Sequence, residues 1–172
     1  MSYQPSELVR WSWEHTPRCL SSVVAKALSR GPRVLGHEAF SHFALSCRCG
    51  AKHWLVLGHM PEPELLLCPL VVKCAKCRRL SPIFDVAKHG YDAELGHGCY
   101  SRRAEGVRVE LPCTGCSATV FEVTANVSYQ FEKADLEKGA RRRVHNLFDV
   151  FYLGVKCRRC GQLKNVGDYE CA

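Results

Sequence analysis

The chain has 172 residues, twelve cysteines and a formal charge of +7. That length suits one domain or two small ones. No stretch approaches the ~18 apolar residues of a membrane span, and the polar opening, residues 1–10, has no apolar leader core; both speak against a membrane protein and against a secreted disulfide scaffold. In a reducing, cytoplasmic setting, cysteines in close pairs point to metal rather than to disulfides.

Residues 1–40 lack paired cysteines. Pro17 and Gly31 bracket a stretch whose apolar positions Leu20, Val23, Val24, Ala27 and Leu28 recur at helical spacing. This predicts one short helix over 17–31, its apolar face packed on the cysteine-bearing units, with Trp11 and Trp13 anchoring the same region.

Residues 41–106 read as a first unit. Phe43-Ala-Leu45 leads into Cys47-x-Cys49-Gly50, and Trp54-Leu-Val-Leu57 leads away. Gly58 and Pro61-Glu-Pro63 mark a turn, after which Leu70-Val-Val72 leads to Cys74-x-x-Cys77. The order is strand, knuckle, strand, loop, strand, knuckle, strand. A loop rich in glycine comes next and gathers His89, Asp92, Glu94, His97 and Cys99, then Arg102 and Arg103. Such a set can bind a third metal, a ligand or a substrate; the bland alternative is a solvated loop whose glycines make turns.

Residues 107–172 read as a second unit built on the same plan. Val72-Lys-Cys-Ala-Lys-Cys-Arg-Arg-Leu-Ser-Pro-Ile-Phe-Asp85 matches Val155-Lys-Cys-Arg-Arg-Cys-Gly-Gln-Leu-Lys-Asn-Val-Gly-Asp168 at Val, Lys, both Cys, Leu and the closing Asp. Leu45-Ser-Cys47-Arg-Cys49-Gly-Ala51 aligns more loosely with Leu111-Pro-Cys113-Thr-Gly-Cys116-Ser-Ala118. The second copy has a longer insert, carrying Arg141, Arg142 and Arg143 among Tyr129, Phe131, Phe148 and Phe151. Basic residues interleaved with aromatics suit single-stranded nucleic acid; the alternative is a solvated helix face over core aromatics. The fold class expected is mainly β, a small α+β protein of tandem, duplicated units of antiparallel hairpins with a short N-terminal helix.

Each unit offers four thiols, the ligand count of a closed tetrahedral zinc site. The simplest assignment gives one metal to Cys47, Cys49, Cys74 and Cys77 and the other to Cys113, Cys116, Cys157 and Cys160, two zinc ions in all. The spacing leaves open whether knuckles pair within or across units. Gly50 and Gly161 suit the tight turns that bring backbone N–H groups toward sulfur. Thiolates are the ligands, so two loaded sites add eight negative charges and four positive ones and leave about +3. Arg48, Lys73, Lys76, Arg78, Arg79, Lys156, Arg158 and Arg159 flank the thiols. Charge alone is therefore a weak argument for a nucleic-acid partner. Cys19, Cys68, Cys99 and Cys171 are left over and read first as small core residues.

The knuckle–strand–knuckle pattern resembles the zinc-ribbon class. Cys47-Arg-Cys-Gly-Ala51 followed by Lys73-Cys-Ala-Lys-Cys-Arg78 is also similar to the glutathione-dependent formaldehyde-activating family, which implies a zinc-pinned β-tent. That family carries a further Cys two residues before its Cys-x-x-Cys; Val72 stands there in this chain, so its three-cysteine catalytic cluster is incomplete. No phosphate-binding glycine loop, nucleophile-elbow Ser or His-Glu-x-x-His motif is present, so the sequence leans away from an enzyme. The function expected is a non-catalytic zinc-binding adaptor for nucleic acid or another protein. The alternatives are a β-tent-type enzyme or small-ligand binder using the His89–Cys99 loop, and a structural subunit of a larger assembly.

Overall fold

In the computed structural model, residues 16–28, 33–35, 38–60, 67–85, 107–129 and 150–170 are described. They form ten strands: β1 (Val24–Ala27), β2 (Arg33–Leu35), β3 (Glu38–Ser46), β4 (His53–His59), β5 (Leu67–Cys74), β6 (Leu80–Phe84), β7 (Val109–Glu110), β8 (Phe121–Tyr129), β9 (Val150–Cys157) and β10 (Leu163–Glu170). All pair antiparallel in one curled sheet. β8 and β9 follow period-two patterning, whereas β4 and β5 carry continuous apolar runs buried on both faces. In β8, Phe121, Val123, Ala125 and Val127 are buried, while Glu122 between them is exposed. In β9, Phe151, Leu153, Val155 and Cys157 are buried in the same alternation. No helix among the described residues is long and apolar enough to cross a membrane.

β8 is the strand on which the sheet is built. β9 runs along its whole length, pairing Phe121↔Cys157 through Ser128↔Val150. β3 and β4 share its other edge, β3 against Thr124–Tyr129 and β4 at Phe121 and Glu122. Both run opposite to β8, so the chain does not reverse between β3 and β4. The Cys47–Cys49 knuckle is an excursion between two strands of the same direction. The Cys74–Cys77 and Cys157–Cys160 knuckles, by contrast, are the tips of true hairpins, β5–β6 and β9–β10.

The two units use the same registers. Trp54↔Cys74 on β4–β5 corresponds to Phe121↔Cys157 on β8–β9. Ala44↔Thr124 on β3–β8 corresponds to Glu110↔Leu57 on β7–β4. Lys73↔Leu80 corresponds to Lys156↔Leu163, and each hairpin then skips one residue, Ile83 in one and Val166 in the other. Both skipped residues are buried, so the bulge turns an extra apolar side chain inward. Trp54 and Phe121, counterparts by this register, pair directly with each other across β4–β8.

The 17–31 segment corrects the sequence-based expectation of a helix. It forms a single 3-10 turn, Arg18–Leu20, and then β1 on the edge of β3. Leu20 and Val23 are buried as expected, but Val24 and Leu28 are exposed. The carbonyls a helix would need are used elsewhere. Arg48 Nη2 donates to Ser21 O at 2.9 Å, and Ser81 Oγ donates to Ser22 O at 3.5 Å. Ser22 Oγ donates to Pro82 O at 2.6 Å. Serines that bond outside their own turn, followed by two β-branched valines, favour a strand wherever an edge is available.

One core joins both units. Phe84 of β6 and Phe151 of β9 stack with centroids 4.3 Å apart and planes 6° from parallel, and Tyr169 of β10 packs on Phe84 at 5.2 Å. Neither Phe84 nor Phe151 has any exposed surface. Truncating either to Ala removes a full ring that its neighbours cannot replace. We expect Phe84→Ala and Phe151→Ala each to lower the unfolding free energy of the metal-loaded chain by about 3–5 kcal/mol, measured by urea denaturation.

Candidate metal centres

Each of the four knuckles is closed by backbone hydrogen bonds around its first cysteine. Cys47 N–H donates to Ala51 O at 2.8 Å, and Cys113 N–H donates to Ala118 O at 2.8 Å. In the hairpin knuckles, Cys74 N–H donates to Arg79 O at 2.9 Å and Cys157 N–H to Gln162 O at 2.8 Å. The chain then returns through one residue of positive φ: Gly50 at 83° and Gly161 at 75°, but Ser117 at 57° and Arg78 at 62° in the other two. A Cβ would meet nothing within 4 Å at Gly50 or Gly161, so glycine serves the left-handed conformation there and not close packing. One further bond ties each hairpin knuckle to the neighbouring chain: Ala75 N–H to His53 O of β4 and Arg158 N–H to Val120 O just before β8, both 3.0 Å.

These turns bring the sulfurs together within each unit. The four thiols of Cys47, Cys49, Cys74 and Cys77 lie within 4.8 Å of one another, and so do those of Cys113, Cys116, Cys157 and Cys160. Sγ–Sγ separations are 3.5 Å for Cys47–Cys77, 3.7 Å for Cys49–Cys74, and 3.6 Å for both Cys113–Cys160 and Cys116–Cys157. A tetrahedron with metal–sulfur bonds of about 2.3 Å has edges of about 3.8 Å, so each cluster has the size a tetrathiolate metal ion needs. One cysteine of each pair is buried and the other lies nearer solvent. The one-residue gap of Cys47-x-Cys49 reaches the same geometry as the two-residue gap of Cys113-x-x-Cys116.

The thiols do not titrate alike. Burial acts to raise Cys74, but the N–H groups of Cys77 and Lys76 and the thiols of Cys77 and Cys47 outweigh it and hold Cys74 down to about 6. The Cys77 N–H lies 3.5 Å from the Cys74 sulfur. At the matching position Cys157 is also held down to about 6, first by the Cys160 N–H. Burial, with help from thiol hydrogen bonds to neighbouring cysteines, pushes Cys47 up to about 12. At Cys160 the Gln162 N–H acts downward, yet burial and the three partner thiols push it up to about 12. Each cluster thus places its first negative charge at the N–H-rich hairpin cysteine and resists adding more, a repulsion that a bound cation relieves.

Of the other sequence-predicted positions, Cys19 and Cys68 are buried in the apolar core. His89, Asp92, Glu94, His97, Cys99, Arg102, Arg103, Arg141, Arg142, Arg143 and Cys171 lie outside the described residues. Two features escaped the sequence reading. A cleft of about 530 Å³ lies between knuckles of the two units, lined by Lys52, His53, Ala75, Lys76 and Arg158. An apolar cavity of about 380 Å³ adjoins the second cluster and includes Cys113 and Gln162 in its wall. Gln162 Oε1 lies 3.3 Å from Cys113 Sγ and 3.4 Å from Thr114 Oγ1, linking a ligand sulfur to the cavity rim. Lys76 and Arg158 were legible as neighbours of thiols and Lys52 was not, and the convergence of all three depends on how the two units pair.

Metal loading can be checked cluster by cluster. Cys74→Ser removes a ligand buried in the first cluster alone, so elemental analysis should find one metal equivalent lost and the one at Cys113, Cys116, Cys157 and Cys160 kept. At pH 7 each empty cluster holds about one thiolate, so metal binding should release about three protons per ion. Protons compete for the same sulfurs, so lowering the pH weakens binding. The apparent affinity should fall about a thousandfold from pH 7 to pH 6, read by competition with a chromophoric chelator.

Compared with protein-family models, with curated proteins and with solved structures, the chain matches none, so its two tetra-cysteine clusters and the sheet that holds them are what speak to its function.

Proposed function

We propose that this chain is a non-catalytic zinc protein, two copies of one ribbon-like unit, whose knuckle tips bind single-stranded nucleic acid. Zinc is supported by the donor set: four soft thiolates in a tetrahedron suit an ion with no geometric preference of its own. Four protein ligands fill the coordination sphere and leave no position for a reacting water. The duplication is supported by the matched registers, including the bulge shared by both hairpins.

The single observation that carries the partner is the cleft between the units. Lys52, Lys76 and Arg158 converge there beside His53, and all three cations are exposed. Three chain segments thus bring three positive charges to one cleft, where they can face one segment of phosphate backbone. Arg102, Arg103, Arg141, Arg142 and Arg143 are further cations of the chain and lie outside the described residues. The rival enzyme or small-ligand role rests on the His89–Cys99 loop, outside the described residues.

The test is the affinity for a fluorescent oligothymidylate, measured by anisotropy from low to moderate salt with both metals retained. Binding should weaken with salt, and the Lys52→Ala, Lys76→Ala, Arg158→Ala triple variant should flatten the log–log slope by about 2. Affinity indifferent to salt, or unchanged in the triple variant, contradicts this function.

A further inference from the structure

The strands β3–β6 and β7–β10 share their registers, yet among the described residues the same groove is filled in the first unit and open in the second. In the first unit the 3-10 turn covers it. Leu20 and Val23 are 1% and 8% exposed, Cys19 is 4% exposed, and all three join the common core. The turn is held by its carbonyls: Ser21 O accepts from Arg48 Nη2 and Ser22 O from Ser81 Oγ. The side chains that receive it, Ser81 and Ile83 of β6, are 2% and 0% exposed.

Strand register and knuckle alignment carry Arg48, Ser81 and Ile83 onto Thr114, Lys164 and Val166 of the second unit. Those three residues line the cavity of about 380 Å³, with Met60, Leu111 and Phe121 forming much of its apolar wall. The volume falls in the range of sites that enclose a ligand, and an apolar wall left to water forgoes the stabilisation that burial would bring. Thr114, its hydroxyl donating to Gln162 Oε1, and Lys164 take the positions at which Arg48 and Ser81 hold the carbonyls of the first unit's turn. The first unit therefore displays the chemistry of an occupant: a short turn with two aliphatic side chains pointing in and two carbonyls at the edge.

We propose that the second-unit cavity is a docking site for a partner polypeptide, which inserts a Leu-x-x-Val turn as the first unit's groove takes Leu20 and Val23. This site faces the metal cluster through Gln162 and is distinct from the basic cleft, so it stands independently of the nucleic-acid role.

The probe is a synthetic peptide of residues 16–24 of this chain carrying Cys19→Ser, titrated into the full metal-loaded protein. The chain has only two methionines, Met1 and Met60, so methyl labelling gives a resolved signal from the cavity wall. The Met60 methyl should shift and saturate with peptide, and a Leu20→Asp peptide should bind at least about tenfold more weakly. No shift at millimolar peptide overturns the proposal, as does an equal response to the Leu20→Asp peptide. A Met60 shift with a small apolar dye but not with peptide also overturns it and assigns the cavity to a small molecule.

Discussion

At each of two points in this molecule, four cysteine sulfurs come within 4.8 Å of one another. Thiols at that distance share protons, and ionising them all without a cation would set four negative charges side by side. The sheet is arranged so that this convergence happens anyway. Two tight turns per cluster, each closed by backbone bonds to its first cysteine, aim the sulfurs inward. Backbone N–H groups gather at Cys74 and Cys157 and hold both thiols well below the ordinary thiol range. A tetrahedral cation would convert the repulsion into four bonds and pin the two knuckles of each cluster to one another.

That tie has consequences beyond each cluster. β8 of the second unit is inserted against both β3 and β4 of the first, and the Trp54↔Phe121 pair brings the two clusters' supporting strands into direct register. Phe84 and Phe151 stack across the units on the other side. A unit of this size has a marginal core by itself; interleaving gives both units one core, with the two cysteine clusters at the knuckle tips. Because the copies agree so closely in register, their differences stand out. Trp54 Nε1 donates to Leu45 O at 3.1 Å, whereas its counterpart Phe121 has no such donor and faces a cavity. The N-terminal turn covers one groove and leaves its counterpart hollow.

Much of this was legible in the residues. Paired cysteines with aligned flanks pick out all eight sulfurs that the fold gathers into two clusters. Gly50 and Gly161 mark two of the four left-handed turn positions. Ser117 and Arg78 hold the other two without a glycine, so no residue signal reveals them. The 17–31 segment misled because Leu20, Val23, Val24, Ala27 and Leu28 satisfy a helical period, while the edge of β3 and the acceptor at Pro82 that draw it into another shape lie far along the chain. The interleaving of units, the basic cleft and the apolar cavity share that cause: each arises from pairing between distant segments, which leaves no periodicity in either one.

The central claim is that each cluster is a closed tetrathiolate that holds the sheet together and performs no chemistry. X-ray absorption at the metal edge of the purified, loaded chain tests it most directly. A closed site predicts about four sulfur neighbours per ion at about 2.3 Å. A shell containing nitrogen or oxygen at about 2.0 Å would contradict it, since a ligand from outside the eight cysteines would mean an open coordination position.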